Sequence, residues 1–68
     1  MTEHVYRITE VVGSSGVSVS EAVKSAVARV SQTVRNVEWF EVGSIRGDVA
    51  DGQVSHFQVT VRAGFRVD

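Results

Sequence analysis

"ADGQ", residues 50–53, decides how this chain folds. Asp and Gly both tolerate positive φ, so Asp51-Gly52 between two β-rich runs signals a two-residue hairpin turn. Such a turn pairs Ala50 with Gln53 and fixes the register of everything upstream. Ser44 then meets Val59, Val42 meets Val61 and Phe40 meets Ala63, which makes one apolar face. On the opposite face Glu41 meets Arg62, a favourable cross-strand charge pair, and Trp39 meets Gly64. The same count places Gln58 opposite Ile45 and Arg46 opposite Phe57. Arg46 would thus enter the core side, unless a bulge near Gly43 or Gly47 turns it outward or it lies beyond the covering element. Both strands agree on which face is apolar, so the chain's only tryptophan, in "NVEWFEV" (36–42), is expected to point away from the core.

Upstream, "HVYRITEVV" (4–12) is rich in β-branched residues and reads as a first strand that ends at the loop signal "GSSG" (13–16). In "SVSEAVKSAVARVSQTVRN" (18–36), Ser18 with Glu21 three positions on is a capping box. Val19, Val23, Ala26, Val27, Val30 and Val34 follow at helical spacing and form one stripe. Lys24, Arg29, Gln32 and Arg35 fall largely outside it. Asn36 suits a left-handed terminator. The order is β-α-β-β, an α+β fold in which a three-stranded antiparallel sheet wraps around one helix. The hairpin is longer than the helix and must overhang it.

The chain has 68 residues and forms a single domain spanning 1–68. So short a chain buries a modest share of its surface and usually needs a metal, disulfides or association. There is no cysteine, and His4 and His56 have no ligand-like spacing, so association is the device that remains. Seven Lys and Arg against eight acids give no basic stripe for nucleic acid. No apolar run approaches a bilayer span and "MTEHVYR" (1–7) has no signal-like apolar region, so a cytoplasmic protein without a membrane partner is expected. "GSSG" lacks the lysine of a phosphate loop. Ser14, Ser15 and His56 make no recognisable triad, so no enzyme activity is expected. An outward Trp39 has two readings: a residue buried in a subunit interface, or a stacking platform for a flat ligand.

Taken together, "VYRITEVVGSS", "EAVKSAVARVSQTVRNVEWFEV", "IRG" and "HFQVTVRAGFRV" resemble the dodecins, in order and over nearly the whole chain. The segment "RNVEWFEV" followed by "FQVTVRAGFR" is the most specific part. The resemblance implies a hollow spherical homododecamer that stores flavin, stacked in pairs between tryptophans of neighbouring subunits, and quenches its photochemistry. It implies FMN as the flavin, as in bacterial members, with riboflavin as the alternative and coenzyme A as a second ligand of some members. Trp39 stands at the stacking position and Gln58 at that of a glutamine facing the polar edge of the ring. Arg46 and Arg66 match basic positions near the phosphate. Trp39 and Gln58 lie roughly 20 Å apart along the hairpin, so one flavin would touch them on different subunits. A flavin-dependent redox partner, or a ligand-free shell with Trp39 only in an interface, are the other readings.

Overall fold

The structure, a computed structural model, describes residues 3–67. Strand β1 (Val5–Ser15) leads into helix α1 (Val19–Thr33), and strands β2 (Val37–Ala50) and β3 (Gln53–Val67) complete the chain. The sheet has three strands in the order β1-β3-β2, with both pairings antiparallel. This is the β-α-β-β fold expected from the sequence.

Local chemistry accounts for each junction. Asp51 and Gly52 both have positive φ, 54° and 76°, as a tight hairpin turn between right-twisted strands requires. Ser18 caps α1, its Oγ accepting from the Glu21 amide at 3.0 Å, while its carbonyl accepts from Ala22 at 3.1 Å. Helix α1 ends at Thr33, earlier than the apolar spacing implies, and Val34 is already extended. Asn36 takes the left-handed conformation, φ 65°, two residues beyond that cap, and its carbonyl accepts from the Arg66 amide at 3.1 Å. The asparagine therefore turns the chain into β2 instead of closing the helix.

"GSSG" is not a loop. Gly13, Ser14 and Ser15 belong to β1, paired with Val59, Gln58 and Phe57. The glycine is there because the helix passes too close for a side chain. A Cβ on Gly13 would overlap the Ala22 carbonyl oxygen and lie 2.9 Å from Ala26 Cβ. The turn itself is made by Ser15, whose Oγ accepts from the Val17 amide at 2.9 Å.

The core is thin. Ala22 and Ala26 of α1 meet Val59 and Val61 of β3, and Val30 and Ala63 are buried as well. Val19, Val23 and Val27 pack beside them half-buried, so the helix faces the sheet through small residues, including an alanine outside the predicted stripe. Helix α1 lies chiefly over β1 and β3. Phe40 and Val42 share the core face of β2, opposite Ala63 and Val61 as predicted, yet Phe40 is 51% exposed because the helix lies over β1 and β3 and scarcely covers β2. An open apolar groove runs between Phe40 and Val23, Val27 and Ala28. The molecule measures 56 × 20 × 14 Å, with the hairpin overhanging the helix.

The β2–β3 ladder is interrupted three times, between Val37 and Trp39, between Val42 and Ile45, and between Asp48 and Val49. The last two compensate. The predicted pairs Glu41–Arg62, Trp39–Gly64 and Ala50–Gln53 all hold, but between the interruptions the register is shifted by one. Ile45, not Ser44, faces Val59, and Arg46, not Ile45, faces Gln58.

Candidate functional site

The outer face of the sheet carries the side chains of interest, and the bulges aim them. Gly43 and Ser44 both stand against Thr60: a Cβ on Gly43 would lie 3.4 Å from Thr60 Cγ2, and Ser44 Oγ is 3.3 Å from Thr60 Oγ1. Two consecutive residues on one side reverse the alternation beyond them. Arg46 is thereby turned to the outer face, where its Nε donates to Gln58 Oε1 at 3.1 Å. That arginine was assigned to the core side by strict alternation, and the bulge near Gly43 overrides it.

At the other end of the hairpin, the bulge at Glu38 sets Glu38 and Trp39 side by side. The Trp39 indole lies face-on over Gly64. A Cβ on Gly64 would run into ring atoms Cδ2, Cε2 and Cζ2 together, which places the ring plane across the glycine rather than its edge. Gly64 is buried beneath it, while Trp39 remains 38% exposed. Tyr6 meets the indole edge-on, with centroids 6.0 Å apart and planes at 61°. The Tyr6 hydroxyl donates to Glu38 Oε1 at 3.0 Å, and Glu38 Oε2 lies 3.6 Å from Arg66 Nη1. The hydrogen bond to Glu38 raises the Tyr6 pKa above its ordinary 10.0, helped by desolvation and the carboxylate's charge and opposed by Arg66.

Between the two ends, Arg62 on the central strand reaches both edge strands, with Nε 3.0 Å from Glu41 and Nη1 3.2 Å from Glu10. Hydrogen bonds to Glu41 and then Glu10 raise its pKa further, so it stays charged.

The four residues singled out from the sequence thus come together as two pairs. Trp39 and Arg66 share one end through Glu38, and Arg46 and Gln58 are bonded at the other. Gly64 and Gln58 are six residues apart on β3, roughly 20 Å. Sequence reasoning missed Glu38 and the part Tyr6 plays beside the tryptophan, since alternation puts Glu38 on the wrong face. No helix among the described residues is long and apolar enough to cross a membrane.

A family model described as Dodecin matches residues 5–68. The chain belongs to the dodecin family. It is 39% identical over 64 residues to a curated dodecin from Thermus thermophilus, covering 94% of this chain and 93% of that one. The solved dodecin from Streptomyces coelicolor superposes with a TM-score of 0.92 at 53% identity, covering 100% of this chain and 97% of the other. A dodecin from Streptomyces davaonensis gives 0.91 at 46% identity, with 98% of each chain covered. Solved variants of the Thermus dodecin, 36% identical to this chain with 97% of it covered, have one or another arginine replaced by alanine, or a tryptophan by phenylalanine; their TM-scores are 0.91, 0.90 and 0.90, with 98%, 97% and 98% of those chains covered. Dodecins are known as flavin-binding proteins, are not a known enzyme class, and their relationship to this chain implies a homo-oligomer.

Proposed function

We propose that this dodecin is a flavin store, holding FMN as stacked pairs between Trp39 residues of neighbouring subunits in a shell of twelve. The observation that carries the reading is the indole itself: laid across Gly64, met at its edge by Tyr6 and 38% exposed, it is a flat and partly open platform. The residues fit an isoalloxazine bearing a phosphate. Trp39 offers a π face, Arg66 and Arg46 offer guanidinium groups for phosphate oxygens, and the Gln58 amide, its oxygen held by Arg46, can donate to a ring carbonyl.

Further support comes from the Thermus variants. Counting one residue on from each substituted position lands on Arg46, Arg66 and Trp39 of this chain. The separation of Trp39 from Gln58 favours contributions from different subunits to one flavin, so that binding depends on assembly. The flavin supplies the chromophore, while the chain's residues bind it, exclude water and bring an indole donor close enough to quench its excited state.

The test is an FMN fluorescence titration with the mass measured by light scattering in the same sample. Strong quenching at about one flavin per chain, in an assembly of twelve, is expected from the one stacking face each chain presents. An intact assembly that leaves FMN fluorescence unchanged would show Trp39 to be an interface residue and would sink the storage reading.

A further inference from the structure

Glu38 touches the tryptophan's surroundings twice. One oxygen holds the Tyr6 hydroxyl at 3.0 Å, and through it the ring that meets the Trp39 edge. The other oxygen lies 3.6 Å from Arg66, the arginine at the same end of the sheet. Both partners are outer-face residues of neighbouring strands, Tyr6 and Arg66 being directly paired. The bulge between Val37 and Trp39 is what delivers the carboxylate there, since an unbroken strand would aim it at the helix side. A half-exposed acid placed against an arginine takes part of that arginine's charge for itself. It also sets a negative charge where a phosphate would approach.

We propose that Glu38 is a positioning and specificity residue of the flavin site: through Tyr6 it fixes the indole platform, and through Arg66 it limits how strongly the site prefers a phosphorylated flavin over an unphosphorylated one. This inference rests on the flavin-binding reading above. The two oxygens separate the two roles. Tyr6 acts on the platform, which every flavin shares. Arg66 acts on the phosphate, which only FMN has. A neutral residue at position 38 therefore removes one negative charge from beside Arg66 and from the path of a phosphate, whereas loss of the Tyr6 hydroxyl loosens the indole for any flavin alike.

The experiment compares FMN with lumiflavin, which has the ring and no phosphate, by fluorescence titration of the assembled protein and its variants. In E38Q the amide oxygen still accepts from Tyr6, and the ratio of FMN to lumiflavin affinity is expected to rise about fivefold, the scale of one partly exposed ion pair. Glu38→Ser, also neutral and smaller, is a second variant in which the ratio should rise, and light scattering reports assembly for each. Glu38→Asp keeps the charge and should keep the wild-type ratio. Y6F should weaken both flavins by a similar factor and lower the fluorescence anisotropy of Trp39. Neutral variants that assemble and keep the wild-type ratio would overturn the role of Glu38, as would a Glu38→Asp ratio equal to theirs. A wild-type protein that binds neither flavin would instead overturn the flavin reading itself.

Discussion

The indole of Trp39 occupies the space that a side chain on Gly64 would fill. The two residues are direct cross-strand partners, so the glycine is the floor on which the platform is laid. Gly64→Ala should tilt or expel the indole. We expect FMN quenching to weaken at least tenfold, with a loss of stability of about 1–3 kcal/mol from overpacking if the ring is not free to move away. Emission from the single tryptophan gives the check directly, since an expelled ring shifts to the red.

Arg46 and Gln58 behave as a unit across β2 and β3. Arg46→Ala removes the donor that holds the amide oxygen, so Gln58 loses its orientation as the site loses a cation. A hydrogen bond to a charged group is worth about 1.5–3 kcal/mol. We therefore expect FMN affinity to fall by roughly tenfold or more, lumiflavin affinity to fall less, and the assembly mass to stay unchanged by light scattering.

Tyr6 is the chain's only tyrosine, which makes its titration readable by ultraviolet absorbance. The hydrogen bond to Glu38 raises its folded-state pKa above 10.0. A raised pKa means that the contribution to stability is fully present below the unfolded value and is lost as pH climbs through the folded one. The tyrosinate band should accordingly appear above pH 10 in the folded protein, and Glu38→Ala should bring its midpoint back towards 10. A wild-type midpoint at or below that of free tyrosine would contradict the hydrogen bond.

Gly13→Ala tests the packing of helix on sheet. The new methyl would overlap the Ala22 carbonyl oxygen and crowd Ala26, neither of which is a flexible side-chain end. A loss of about 2 kcal/mol is expected, seen as a lower denaturant midpoint with an unchanged slope.

Much of this fold was legible because short signals carried specific geometry. Asp51-Gly52 specifies the turn, Ser18 the helix start, and the parity of two strands puts Trp39 on the outer face. The bulges were only partly legible. Gly43 and Gly47 in "EVGSIRG" mark places where a ladder can break, but they do not say which of them breaks it, and nothing in "NVEWF" marks the bulge at Glu38. Strict alternation consequently put Arg46 on the core side, with a bulge near Gly43 as one of the ways of turning it out, and Glu38 drew no attention. Gly13 misled in another way, because a glycine that admits a helix backbone looks the same in sequence as one that makes a turn. Ala22 escaped a stripe counted mainly on valines. The link from Tyr6 through Glu38 to Arg66 joins three strands, and no local pattern encodes it.

The core described above contains nothing larger than valine among the fully buried residues, while Tyr6, Ile8, Trp39, Phe40 and Ile45 stay open on the isolated chain. The bulky apolar side chains of this protein thus contribute little to the core of one subunit, which has little with which to offset its own ordering. Folding and association then become one reaction under mass action. Subunit concentration is therefore expected to shift the midpoint of unfolding.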